Sequence, residues 1–374
     1  MTASSYEAAV RKLLEHTDIR INGNNRWDIQ VHDNRFYKRV LGEAELGIGE
    51  SYMDGWWDCE EIDTLICKLL RSGLQDVVRR NWSILWPIAI AAIFNRQNKS
   101  WSPKIAGAHS DLGNDLFQKM LDPLMNYSCG YWRDAASLEQ AQINKLELIC
   151  RKLELKPGMR VLDIGCGWGA FGKYASENHS VSVVGVTVSK EQVALGQKLC
   201  QGLPVEIRLS DFRQLNERFD RVVSVGMIEH IGYKNYRTFM KIAHRCLEDD
   251  GLFLLHTIGE IRSVTATDPW IEKYIFPHSM PPSIKQLGQA IENLFVMEDW
   301  HNFGTDYDKT LMAWYENFER SWDSIKRNYD ERFYRMWKYF LLSSAGSFRA
   351  RRNQLWQIVF SKRGVIGGYQ SYRR

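Results

Sequence analysis

Residues 161–169 read VLDIGCGWG. A hydrophobic run of strand character leads into an acid and three alternate glycines, Gly165, Gly167 and Gly169. Glycine lets the backbone turn tightly and approach a ligand, because no Cβ stands in the way. A helix starting just after the turn directs its first amides at the same place. In an open parallel α/β sheet, ligands bind outside the carboxyl ends of the strands, where this turn would lie. Two ligand classes are set aside by spacing. A P-loop needs GK[ST] after the glycines, and none follows. The dinucleotide fingerprint needs GxGxxG, whereas Ala170 stands where its last glycine would be. That fingerprint also wants an acid after the second strand. The chain there reads VVGVTVSKEQ, with Thr187 in position and no acid before Glu191.

Working outward, a helical run near 137–153 ends at KPG just before the glycine-loop strand. Further strands read VSVVGV (181–186), VEIRL (205–209), RVVSVG (221–226) and GLFLLHTIG (251–259), with helical stretches between most of them. Near-continuous apolar strands alternating with helices predict a doubly wound, mostly parallel sheet covered on both faces. LFVMEDW (294–300) and LWQIVFSK (355–362) are two more strands that would complete an edge after a large, aromatic-rich insertion, roughly 262–350. Residues 1–95 read as a small, mainly helical domain with a packed helix near 61–71, and no catalytic constellation stands out there. A polar stretch broken by Pro103 and two glycines makes 96–108 the linker, leaving 109–374 as the catalytic domain.

The chain has 374 residues, 44% hydrophobic and 25% charged, enough to bury a full core without staples. Seven scattered cysteines without a CxxC pair predict neither a zinc site nor a dithiol centre, so no metal is expected. The start carries no secretory signal pattern, and a reducing cytosol is the simplest compartment. The most apolar run, 82–94, has Pro87 within it and is shorter than the roughly 20 residues a membrane helix needs. Its flanks are basic, which fits either a surface-seeking amphipathic segment or a buried helix. A second basic stretch, Arg349 to Arg374, holds seven Lys/Arg and no acid. The net charge is only +4 and no aromatic-interleaved basic array is present, so nucleic acid is not expected as a partner.

Asp163 followed by GxGxG resembles the adenosylmethionine-binding loop of class I methyltransferases. The resemblance implies that Asp163, Gly165 and Gly167 cradle the methyl donor. Asp211, after the third parallel strand, would take the adenine amino group, with Phe212 against the ring. A closer resemblance covers nearly the whole chain. AHSDLGNDLF (108–117), LDPLMNYSCGYW (121–132), SVGMIEHIG (224–232), LLHTIG (254–259), DPWIEKYIFP (268–277) and HNFGTDYDKTLMAWYENF (301–318) are similar to segments of the bacterial cyclopropane fatty acyl phospholipid synthases, relatives of the mycolic acid cyclopropane synthases. The fold then implied is the seven-stranded class I methyltransferase sheet.

By that resemblance Tyr127 and Ser128 contact the amino-acid end of S-adenosyl-L-methionine, and Thr187 and Gln192 contact its ribose. Cys129, Glu229, His256, Ile258 (through its backbone) and Tyr307 would hold a bicarbonate ion. His230 would support the site, and His109 would border the cofactor pocket or simply pack. The family often has tyrosine where this chain has Ser110, and alanine where it has Gly130. The implied reaction transfers a methylene group to the cis double bond of an unsaturated phospholipid, through a carbocation deprotonated by the bicarbonate. An alternative adds a methyl branch to a lipid alkene, or acts on another small molecule. Implied as well are a homodimer and a cytoplasmic enzyme working peripherally at the inner face of the cell membrane. The N-terminal domain would touch lipid or the second subunit. Cys129 reads as wall rather than nucleophile, since sulfonium-to-alkene transfer needs no thioether intermediate.

Overall fold

The computed structural model describes residues 3–74 and 113–373. The apolar run 82–94, the linker 96–108, His109 and Ser110 lie outside the described residues. In chain order the elements are α1 (Ala3–Leu14), β1 (Gln30–Val31), α2 (Arg35–Met53), β2 (Trp57–Asp58), α3 (Ile62–Arg71), α4 (Asn114–Met120), α5 (Leu138–Lys152), β3 (Arg160–Ile164), α6 (Ala170–His179), β4 (Ser182–Thr187), α7 (Lys190–Leu199) and β5 (Val205–Leu209). They continue with β6 (Phe219–Val225), α8 (Tyr236–Cys246), β7 (Leu247–Glu260), α9 (Pro269–Tyr274), α10 (Ile284–Ile291), β8 (Val296–Asn302), α11 (Thr305–Ile325), α12 (Glu331–Arg349) and β9 (Asn353–Ser361).

Two compact units form. The first takes residues 1–119 together with 266–277 and 311–352. Much of the stretch expected to be one insertion into the catalytic domain therefore groups with the N-terminal helices. The physical reason is close helix packing. Gly346 on α12 lies so near α3 that a Cβ there would collide with the Asp63 carbonyl. Arg349, one turn on, pairs with the Asp63 carboxylate at 2.5 Å. In the same unit the buried Glu50 accepts from Lys273 at 2.6 Å and Tyr274 at 2.8 Å and also pairs with Arg39. Burial would raise its pKa, but these partners outweigh that and hold it below the usual range. Gly346→Ala is expected to destabilise this unit by about 1–3 kcal/mol, because the backbone it meets cannot rotate away. Denaturant unfolding followed by tryptophan fluorescence checks this.

The second unit, 120–265, 278–310 and 353–374, is built on a seven-stranded sheet in the order β5-β4-β3-β6-β7-β9-β8. The pairs from β5 to β7 are parallel, and β9 runs antiparallel to both β7 and β8. The edge predicted from 294–300 and 355–362 is thus present. Alternation sends Val161, Val183 and Val223 to a core with Ile149 of α5 and Phe171 of α6. Leu162, Val184 and Val222 go to the opposite core, with Phe239 of α8 and Leu287 of α10. Both faces are covered, which is why these strands read as continuous apolar runs.

Part of the basic C-terminal stretch is paired within its own chain. Lys362 and Arg363 pair with Asp249, and Arg373 with Asp299. No helix among the described residues is long and apolar enough to cross a membrane.

Candidate active site

The loop after β3 turns on glycine. Gly165, Gly167 and Gly169 have φ of 85°, 55° and 86°, the left-handed region where a Cβ is strained. Gly169 directly precedes the first turn of α6, whose amides face the loop. Asp163, the penultimate residue of β3, is only 2% exposed, and its Oδ1 has no hydrogen-bond partner among the described residues. Burial pushes its pKa up to about 7. An orphaned, buried carboxylate oxygen beside a glycine turn fits a cationic, hydrogen-bonding ligand such as an amino-acid ammonium.

Across the neighbouring strand end, Thr187 donates to Gln192 Oε1 at 2.6 Å, so two residues expected to bind together are joined. Asp211 caps the short turn 212–214 and lies in a forked pair with Arg213, which holds its carboxyl below the usual range. An adenine amino group would share that carboxylate with Arg213. Phe212 packs edge-on against Phe239 at 5.6 Å.

The stretch 121–132 is fastened from two sides. Asp122 accepts from the amides of Leu124 and Asn126 and from Asn126 Nδ2, closing a tight turn. From α5, Lys145 donates to Asn126 Oδ1 at 2.6 Å and Ser128 Oγ at 3.2 Å, and Gln142 donates to the Ser128 carbonyl at 2.8 Å. From α11, Asp306 in the first turn accepts from the Trp132 amide and Thr310, one turn on, accepts from the Gly130 amide. Gly130 itself is explained: an added Cβ would lie 3.0 Å from the Ala141 Cβ on α5.

Cys129, fully buried, shares an apolar cluster with Ile258, Tyr307 and Phe303. Burial pushes its thiol well above the usual range, which removes thiolate at neutral pH and with it a nucleophile. Cys129→Ala should therefore keep turnover within about tenfold of the wild type, whereas loss of a covalent nucleophile would abolish it. A steady-state assay of the purified variant decides this.

Glu229 sits in a one-turn 3₁₀ segment, 228–230, after β6. Its Oε1 accepts from the Ile258 amide at 2.7 Å, while Oε2 is buried without a partner among the described residues. Burial raises its pKa to about 7, only partly offset by the Ile258 N–H. His256 lies within β7 and is 1% exposed. Its Nδ1 is 3.3 Å from Gln357 Nε2, and its Nε2 has no partner among the described residues. Burial drives the ring's pKa well below the usual range, so it is neutral. Tyr307, on the first turn of α11, is half-buried, and burial pushes its phenol up. His230 is exposed.

Cys129, Ile258 and Tyr307 share one cluster, Glu229 is bonded to Ile258, and the His256 ring meets Phe303 of that cluster edge-on at 6.0 Å. The Ile258 N–H is taken by Glu229, so in this structure it fixes the carboxylate rather than offering a free donor. Glu229 Oε2 can accept a hydroxyl and a neutral His256 can donate from Nε2, the acceptor and donor that a small oxyanion carrying one hydroxyl would need. Sequence reasoning missed Asn126, Gln142, Lys145 and Gln357. Gln357 alone carried a signal, a polar residue within an apolar strand; the others show their role only once their partners are in place.

This sheet order and glycine loop, with an orphaned acid at the end of the first strand, define a class I adenosylmethionine-dependent methyltransferase. Coclaurine N-methyltransferase bound to N-methylheliamine and S-adenosylhomocysteine shares the fold, with a TM-score of 0.66 at 21% identity over 85% of this chain and 99% of that one. Residues 97–358 match the family described as mycolic acid cyclopropane synthetase, and the chain belongs to that family. It is 54% identical to the cyclopropane-fatty-acyl-phospholipid synthase of Escherichia coli K12 over 362 residues, which is 97% of this chain and 94% of the relative. The cyclopropane synthase MmaA2 of Mycobacterium tuberculosis superposes with a TM-score of 0.65 at 33% identity, covering 71% of this chain and all of that one. Mycolic acid cyclopropane synthase CmaA1, complexed with S-adenosylhomocysteine and CTAB, gives 0.64 at 34% identity, covering 69% and 98%.

Proposed function

We propose that this enzyme transfers a methylene group from S-adenosylmethionine to the cis double bond of an unsaturated phospholipid acyl chain. The products are a cyclopropane acyl chain, S-adenosylhomocysteine and a proton. The observation that carries the reading is the pair of buried atoms Glu229 Oε2 and His256 Nε2, partnerless among the described residues, beside an apolar cluster, in a chain so similar to a phospholipid cyclopropane synthase. An isolated alkene is a weak nucleophile, but a sulfonium methyl is a strong electrophile. The alkene π pair forms the new C–C bond as the S–CH₃ bond breaks, leaving a carbocation on the second carbon. One C–H bond of the new methyl then gives its pair to that carbon, and a proton departs.

In this reading the chain's residues make three contributions. Phe303, Tyr307 and Tyr131 exclude water that would otherwise capture the cation. Their ring faces stabilise passing positive charge by roughly 0.5–2 kcal/mol per well-placed ring. Glu229, His256 and Tyr307 hold an oxyanion in place. The chemistry that bicarbonate would supply when bound there is acceptance of the departing proton. We further propose a homodimer acting at the inner membrane face, with light scattering of the purified chain as the check on its mass.

Vesicles of monounsaturated phospholipid, incubated with methyl-labelled S-adenosylmethionine and extracted, test the substrate. Label in the lipid with upfield ring protons by NMR supports the reading. Bound S-adenosylmethionine with no label in lipid overturns the substrate class and moves the search to soluble acceptors.

A further inference from the structure

Lys145 is a buried cation that the proposed reaction leaves without a task. It is 1% exposed and lies in the middle of α5. Placing an ammonium there is costly, and burial drags its pKa down to about 8. Two of its three protons meet Asn126 Oδ1 and Ser128 Oγ. It is near enough to Asp163 for each to favour the other's charged form. Asp163 in turn keeps Oδ1 without a partner among the described residues. Lys145 on α5 thus lies beside Ser128 and has Asp163, near the end of β3, as an opposite charge close by. S-adenosylmethionine brings to such a place a carboxylate, an ammonium and a sulfonium. A lysine beside the sulfonium or the ammonium would repel it. Beside the carboxylate it attracts.

We propose that Lys145 is a positioning residue that, with Ser128, receives the carboxylate of the methyl donor's amino-acid end, while Asp163 receives the ammonium. This rests on the reading of Tyr127 and Ser128 as contacts to that end. The pair fixes the zwitterion in one direction, so that the sulfonium methyl faces the Glu229–His256 side. Gln142, one turn before Lys145, holds the Ser128 carbonyl and keeps the hydroxyl aimed.

The test uses the full chain and two probes in calorimetric titration: S-adenosylhomocysteine, and its decarboxylated analogue, which keeps the ammonium and lacks the carboxylate. The wild type should bind the first at least about tenfold more tightly. Lys145→Met should weaken S-adenosylhomocysteine at least about tenfold and leave the decarboxylated analogue within about twofold, so the preference collapses. Lys145→Arg should restore part of it. Equal weakening of both probes, or of neither, overturns the proposal. Should Lys145→Met fail to fold, Ser128→Ala must show the same selective loss, and an unchanged preference there overturns it equally. A wild type that binds neither probe would instead sink the methyl-donor reading on which the proposal rests.

Discussion

Glu229→Gln is expected to lower kcat by about 10²–10⁴-fold while leaving S-adenosylhomocysteine affinity within about twofold. The substitution preserves shape and one function. The amide oxygen can still accept from the Ile258 N–H, now made to Oε1 at 2.7 Å. What it cannot do is accept a hydroxyl proton at the second position, since an NH₂ donor stands where the partnerless Oε2 was. The pH profile carries a second signature. Burial sets the Glu229 pKa to about 7, and the reaction needs the ionised form. The wild-type kcat, read at saturating methyl donor so that ionisation of Asp163 in the free enzyme does not contribute, should therefore fall as pH drops through 7, and the Gln variant should lack that limb. A Gln variant with near-normal turnover would remove Glu229 from the proton-accepting site.

Asp163→Asn separates binding from stability. Losing a charged acceptor for the donor's ammonium should weaken S-adenosylhomocysteine by about 10–100-fold, the range for a charge-assisted hydrogen bond. Stability should move the other way. The Asp163 pKa is raised by burial from 3.8 to about 7, so the folded protein holds the proton more tightly than the unfolded chain. That contribution is fully present below pH 4 and is lost as pH rises through 7, because the buried carboxylate must then ionise in a poor environment. The Asn variant pays no such penalty, so it should gain roughly 2–4 kcal/mol over the wild type at pH 8 and little at pH 4. Denaturant midpoints at the two pH values test the sign. A pH-independent difference would mean that Asp163 is not buried as a carboxylate.

The parallel sheet was legible because its strands are apolar on both faces, as Val161 and Leu162 illustrate by pointing into opposite cores. The glycine loop was legible because positive φ leaves few residue choices. The residues around Cys129 and Glu229 were identified by segment resemblance, since nothing in MIEHIG by itself says that Glu229 lies beside Ile258. Lys145 and Gln142 were missed because a polar residue inside a helical stripe looks solvent-facing until its partners from 126–128 are known. Gln357 was missed for a similar reason, lying in an apolar strand whose neighbour is fixed only by the β7–β9 register. The grouping of 266–277 and 311–352 with the N-terminal helices was not legible either. It depends on contacts such as Gly346 against α3, which join residues nearly 300 positions apart in sequence.

The most direct test of ring closure uses S-adenosylmethionine with a fully deuterated methyl group and a phospholipid carrying one cis double bond. Mass spectrometry of the product acyl chain counts the deuterons retained. Closure by loss of one proton from the transferred methyl predicts that two of three deuterons remain, in a ring with no residual alkene. Retention of all three, on a methyl branch, would contradict the account and assign this chain to lipid methylation without cyclisation.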